Sequence, residues 1–255
     1  INNEINLNLG YVKAAYNTQN LRVNLAMMAG TYANANLASE KGIAKNILEA
    51  NVGLKLSKKH NLWLDAGVFP SHIGYESAIG KDCYNLTRSI MADNTPYYET
   101  GIKLGWISKS GKWIVNGLLL NGWQKIYQDK KELTPAFGTQ IQFAPNNRML
   151  LNYGTFFGNI EPEAGLKLRK FHDIYGQFKI KKSNTLILGV NIGNQTIGDT
   201  ITSKEGWYAV SMVFNHAFKN KWSSAARLEY FNDPSMIFAQ SKILAPFECT
   251  AYSIN

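Results

Sequence analysis

The chain has 255 residues, 45% apolar and only 18% charged, with a formal net charge of +9 at pH 7. That is too apolar for a disordered segment and low in charge for a water-soluble domain, and the length allows one large β domain or two ordinary ones. The excess of cations does not point to nucleic acid: Lys58, Lys59, Lys109, Lys112, Arg148, Lys181, Lys182, Lys219 and Lys221 sit in short turns without acidic residues, not on a helix face or in an Arg-rich arm.

In chain order, the first apolar-polar alternations are INLNLGYVKAAY (5–16) and LRVNLAMMAGTY (21–32). NILEANVGLKL (46–56) and LWLDAGVF (62–69) follow, joined by the basic knot SKKHN. Next come YETGIKLGWI (98–107), WIVNGLLLNGW (113–123), PAFGTQIQF (135–143) and MLLNYGTFFG (149–158). KFHDIYGQFKI (170–180), LILGVNIG (186–193), GWYAVSMVF (206–214) and WSSAARLEYF (222–231) complete twelve, and FECTAYSIN (247–255) reads as a thirteenth strand cut short. A period of two places successive side chains on opposite faces, the signature of a strand. No run reaches the roughly 20 apolar residues a membrane-crossing helix needs, and no segment has a convincing amphipathic helical pattern.

The connections decide the architecture. NTQN, SKKHN, SKSGK, APNNR, KKSNT and AFKNK are tight turns, and they alternate with long linkers at 33–45, 70–97, 124–134, 159–169, 194–205 and 232–246. Strict alternation is foreign to a Greek-key sandwich; it belongs to an up-and-down meander with tight turns at one end and long loops at the other, as in bacterial outer-membrane barrels. A soluble sandwich that binds carbohydrate fits the strands but not this asymmetry. Most runs are about 9–12 residues, the length of a tilted strand crossing a bilayer. Aromatics fall into two groups. Trp63, Trp106, Trp113, Phe143 and Trp222 lie near tight turns, and Tyr32, Tyr97, Tyr98, Trp123, Phe156, Phe157 and Phe231 near long loops, as two interfacial girdles require.

In such a barrel Leu48, Ala50, Val52, Leu54, Leu56, Leu62, Leu64, Ala66 and Val68 face lipid. Charged residues on the opposite phase line the interior: Arg22, Glu49, Lys55, Asp65, Glu99, Lys103, Asp173, Lys179, Arg227 and Glu229. A charge on the lipid face costs about 2–4 kcal/mol for Arg or Lys at mid-bilayer. With tight turns in the periplasm, the first strand runs from outside to inside, so at least one strand is expected before it. The expected whole has 14 to 16 strands, of which 12 or 13 are visible, all in a single domain over residues 1–255.

The linker 70–97, PSHIGYESAIGKDCYNLTRSIMADNTPY, is too apolar for a free loop. It is expected to fold into the barrel and narrow it, with Glu76, Lys81, Asp82 and Arg88 setting a field in the pore. His72, Glu76, Asp82 and Cys83 do not form a metal site: no second His or Cys completes a zinc set, and Pro70, Gly74 and Gly80 break the helix that would align His72 with Glu76. Ser71 beside His72 is adjacency without catalytic geometry, and no G-x-S-x-G elbow occurs. The two cysteines, Cys83 and Cys249, match no metal motif and are too few for a disulfide framework.

NILEANVGLKL, LDAGVFPSHIGYES, TRSIMADNTPYYETGIKL, the LNGWQ strand end and RLEYFNDP resemble, in this order, the β-barrel porin-2 family, OmpL-like outer-membrane proteins of the Bacteroidetes. The resemblance covers roughly residues 4 to 235. It implies further strands at both ends and identifies no substrate. The sequence thus reads as an all-β, antiparallel, up-and-down transmembrane β-barrel of a Gram-negative outer membrane. Its expected function is passive diffusion of small hydrophilic solutes, with no enzymatic step, cofactor or nucleic acid and with outer-membrane lipids as surroundings. A non-conducting barrel that partners other envelope proteins is the alternative.

Overall fold

The computed structural model describes residues 5–57, 59–127, 135–160, 167–196, 204–219, 222–238 and 247–255; of the turn cations, Lys58 and Lys221 lie outside them. The strands are β1 (Gly10–Asn17), β2 (Leu21–Ala29), β3 (Ile47–Ser57), β4 (Asn61–Pro70), β5 (Tyr98–Ile107), β6 (Trp113–Leu120) and β7 (Ala136–Asn146). They continue with β8 (Met149–Asn159), β9 (Leu168–Lys181), β10 (Asn184–Thr196), β11 (Lys204–Ala217), β12 (Ser223–Asp233) and β13 (Phe247–Ile254). All thirteen form one sheet in chain order, with β1 and β13 at its edges, and the truncated-looking last run pairs with β12 as a full strand. Two short helices, α1 (Thr31–Asn36) and α2 (Ile90–Asp93), and two single 3₁₀ turns, Gly42–Asn46 and Gly80–Asp82, occupy the first two long connections.

The two faces separate cleanly. Val52, Leu54, Ile102, Leu104, Val115, Leu119, Ile141, Leu151, Ile174, Leu188, Ile192, Val210 and Leu228 alternate outward along nine strands and are exposed. The inward phase carries the buried polar groups, among them Glu49, Asp65, Glu99, Asn152, Asp173, Asn191, Ser211, Arg227 and Glu229. Because the pairing is fixed, these residues line up in lateral rows, one of which reads Arg22, Gly53, Asp65, Lys103 across β2 to β5.

The sheet curls around the segment that links β4 to β5. The His72 imidazole bonds both Glu99 of β5 and the Thr155 carbonyl of β8. In a flat sheet those strands stand about 14 Å apart, far beyond one ring, so the sheet must bend. Gly67 and Gly101 pair directly and both have positive φ, +120° and +156°. A Cβ would sit 2.1 Å from the Ala50 carbonyl oxygen at the first and 2.0 Å from the Leu119 oxygen at the second. This kink needs glycine in both strands.

Three details differ from the sequence reading. Leu48 and Val68 are buried in one cluster with Leu37, Ala44, Tyr98 and Ile126 and do not face lipid; a bulge opposite Ala26 and Met27 displaces Leu48. Trp63 points inward, under Arg22 and Lys55. The aromatics near the long loops are mostly interior: Tyr97, Tyr98, Phe156 and Phe231 are buried, whereas Phe157 keeps an exposed outward position. Near the tight turns the girdle does form, with Trp106, Trp113 and Trp222 exposed and Trp113 stacked on Phe143 at 4.2 Å.

We predict that Leu104→Arg, at an exposed outward position of β5, lowers folding stability in lipid vesicles by about 2–4 kcal/mol. Denaturant titration measures it. An unchanged midpoint would mean that this face does not contact the hydrocarbon.

Candidate functional site

The segment between β4 and β5 lies across the inner face and is fastened at both ends and along its length. The Ser71 amide donates to the Tyr97 carbonyl (3.1 Å), closing the loop at its base. His72 follows, bonded through Nδ1 to Glu99 Oε2 (2.7 Å) and through Nε2 to the Thr155 carbonyl (2.8 Å). The Gly74 amide donates to Asp173 (3.0 Å), and Tyr75 Oη bonds Ser211 Oγ (2.7 Å). Asn85 donates to Ser253 Oγ (3.1 Å), and the Ile90 amide donates to Glu229 (2.7 Å). One segment therefore reaches β5, β8, β9, β11, β12 and β13.

Small residues in the wall make the fit possible. A Cβ on Gly138 would stand 2.9 Å from the His72 ring, and one on Gly154 would stand 3.2 Å from its carbonyl oxygen. Burial disfavours a charged His72, but the Glu99 carboxylate against it more than offsets this, and its pKa rises above the usual histidine value. Both ring nitrogens are engaged, which leaves neither to activate Ser71, whose Oγ accepts from the Ile73 amide. Burial also pushes the Cys83 thiol up, away from reactivity. Among the described residues no group of three or more His, Cys, Asp or Glu side chains is placed to hold a metal.

The predicted charged residues fall into separate groups. Arg227 lies between two carboxylates, with Nε on Glu229 (3.0 Å) and Nη1 3.7 Å from Glu76, and it also donates to the Thr87 carbonyl (2.7 Å). Glu76 in turn accepts from the amide and hydroxyl of Ser89, the residue that caps α2. Arg88 donates to the Ser77 and Ala78 carbonyls and so braces the segment from within. Lys81 and Asp82 are exposed on the 3₁₀ turn, and Lys179 is exposed at the end of β9, remote from these groups in the sheet register.

On the β1–β5 wall, Arg22 grips Asp65 with two bonds (2.6 and 2.5 Å), and Lys103 Nζ stands 3.8 Å from the same carboxylate. The pair spans β3 above Gly53, where a Cβ would lie 2.2 Å from Asp65 Oδ1 and 2.7 Å from Arg22. Trp63 lies beneath, with the Arg22 guanidinium 4.5 Å and the Lys55 ammonium 5.8 Å from its ring. Glu49 takes Lys13 at 2.8 Å.

Lys13 was legible as another charge on the inward phase of its strand, although the sequence reading did not single it out. His72 as an anchor was not legible, because its partners lie 27 and 83 residues away.

The opposite half of the interior is filled. Phe156, Phe171, Trp207 and Phe231, from β8, β9, β11 and β12, are 1–3% exposed and cluster with Ile73 and Met91 of the segment. The Arg169 guanidinium sits 4.6, 5.2 and 4.7 Å from the rings of Trp123, Trp207 and Phe238. The other side holds the cluster of Leu37, Ala44, Leu48, Val68 and Tyr98, joined by Ala78 and Ala92 of the segment, with open space beside it. A cavity of about 670 Å³ lies between the segment, α1 and β1, lined by Tyr11, Tyr32, Lys81, Arg88, Asp93 and Tyr97 among others.

The family model described as "Putative beta-barrel porin-2, OmpL-like" matches residues 1–255. No curated protein matches the chain. Among solved structures it is similar to in-vitro folded OmpT, an outer membrane protein of Vibrio cholerae, at 9% identity over 96% of this chain and 87% of that one, with a TM-score of 0.44. The outer-membrane-expressed OmpT of the same organism gives 10% identity, 88% and 79% coverage and 0.46. The trimer form of the in-vitro folded protein gives 10%, 96% and 89%, and 0.47.

Two predictions follow from the anchors. Gly53→Ala forces Asp65 and Arg22 apart and lowers the denaturant midpoint, whereas in an Asp65→Ala background, which removes the clashing oxygen, the same change costs markedly less; equal costs would refute the contact. Burial disfavours the His72 charge, but Glu99 outweighs it and holds the ring's pKa above the ordinary histidine value, so its protonated form favours the anchored segment. That contribution is whole below the unfolded value and is lost as pH rises through the folded one. NMR of the His72 ring should show the raised value, and Glu99→Gln should drop it by removing the charge that offsets burial.

Proposed function

We propose, from the premise that the chain belongs to the β-barrel porin-2 (OmpL-like) family, that it passes small hydrophilic solutes by diffusion through the outer membrane. The family places the chain in that membrane of a Gram-negative cell, with lipid against its outward apolar face.

The supporting observation is an uneven interior. One half is closed by buried aromatics, while the β1–β5 half carries Lys13, Arg22, Lys55, Glu49, Asp65 and Lys103, of which Lys13, Arg22 and Lys103 keep 37%, 31% and 24% of their side chains exposed. Partly exposed charged side chains on the inner face stay hydrated and can guide solutes. The segment 71–97 acts as the constriction, and the side chains predicted to set its field divide by role. Glu76 and Arg88 hold the segment in place, whereas Lys81 and Asp82 are free to face the path. Signs are mixed along the wall, so selectivity between small ions is weak, with at most a mild preference for anions. The reading includes no chemical step and no cofactor.

The packed half also favours a second reading, a closed barrel that serves as a structural partner in the envelope. Planar-bilayer recording of the full-length protein separates the two. We predict stepwise conductance, and larger unit steps when residues 77–89 are replaced by a short Gly-Ser linker. A heat-modifiable, inserted barrel that stays silent in both forms would overturn the diffusion reading and leave the scaffold.

A further inference from the structure

We infer that the cavity between β1, α1 and the segment is a binding site for neutral saccharides. The inference deepens the diffusion reading and rests on it for the sugar's passage, but the site itself is built by described residues alone.

The volume, about 670 Å³, falls within the roughly 300–1,000 Å³ of small-molecule sites. Three tyrosines from distant parts of the chain converge on it: Tyr11 from β1, Tyr32 from α1 and Tyr97 from the residue before β5. Tyr32 and Tyr97 meet edge to face, with ring centroids 5.9 Å apart, which fixes both rings. Burial, the largest cause for each, pushes both phenols up, so they remain neutral hydroxyl-bearing rings at physiological pH. Tyr11 and Tyr32 are half-buried and offer ring surface to the C–H side of a pyranose, while the buried Tyr97 backs Tyr32.

The charged residues of the cavity suit hydroxyl groups better than ions. Arg88 uses Nε and Nη2 on the Ser77 and Ala78 carbonyls, and among the described residues its Nη1 makes no hydrogen bond. It is thereby both fixed in place and left with free donors. Asp93 accepts from Tyr97 Oη (2.7 Å) and keeps acceptor capacity beside it. An anion attracted to Arg88 and the exposed Lys81 meets the Asp93 carboxylate in the same cavity, and a cation meets the reverse. A neutral polyol uses both, because each of its hydroxyls donates and accepts.

Both trisaccharides maltotriose and cellotriose serve as probes for calorimetric titration of the full-length protein in detergent, beside bilayer recording of the same preparation. We expect saturable binding of at least one. Tyr32→Ala should weaken it about tenfold, the loss of one good contact, and Asp93→Asn should weaken it similarly, while Tyr32→Phe, which keeps the ring, should bind nearly as wild type. Saturable binding that is unchanged in Tyr32→Ala and Asp93→Asn would overturn the inference. So would stepwise conductance without saturable binding of either sugar, which would leave the porin reading standing. A silent barrel whose sugar binding is lost in Tyr32→Ala would support the site and overturn the diffusion reading instead.

Discussion

A sheet that meets lipid on one face must put every charge on the other. Hydrocarbon offers no partner for an ion or an open backbone group, so the strands pair with one another and the polar phase turns inward. That single constraint produces the rest of this structure. It crowds Lys13, Arg22, Glu49, Asp65, Glu99, Lys103, Asp173, Arg227 and Glu229 onto the one inner face. There each must find a counter-charge or a hydrogen bond, because an unpaired buried charge is far costlier than a paired one.

The chain meets that demand in two ways. On the β1–β5 side the wall supplies most partners itself: Arg22 and Lys103 converge on Asp65, and Lys13 takes Glu49, while Glu99 draws on His72 of the segment. On the remaining strands the infolded segment supplies the partners, mostly backbone groups: the Gly74 amide for Asp173, the Ile90 amide for Glu229 and the Thr87 carbonyl for Arg227. A loop can do this only if it comes close, and glycines at 138 and 154 provide the approach at His72. The same segment packs apolar residues to both sides, Ile73 and Met91 against the aromatic cluster and Ala78 and Ala92 against the cluster of Leu48 and Val68.

Period-two alternation and the contrast of tight turns with long links made the strands, their order and the inward charges legible in the sequence. Local rules suffice there, because a strand's neighbour is its neighbour in the chain. Faces were legible wherever parity was applied, and lost where position alone was used. Phe156 and Phe157 adjoin the same loop, yet parity sends the first into the core and the second to the surface. Trp63 lies as close to a turn as a girdle residue, but its phase matches that of Asp65 and turns it inward beneath Arg22. The displacement of Leu48 by a bulge breaks parity itself. The segment's anchors were beyond such rules, since they join positions as far apart as 74 and 173 or 90 and 229.

Those anchors also bear on whether the segment is a movable gate or a fixed partition. Arg227 is shared by Glu229 of the wall and Glu76 of the segment, and the side chains of all three are about 95% or more buried. Withdrawing the segment would strip Arg227 of one carboxylate and of the Thr87 carbonyl, and Glu229 of the Ile90 amide. At the other end it would leave Glu99, with no exposed surface, facing an empty His72 site. Breaking a buried charge pair from one side costs on the order of 3–5 kcal/mol, and here two such groups would open together. Penalties of that size exceed what a small neutral solute can return by differential binding. The segment is therefore a fixed partition and not a movable gate.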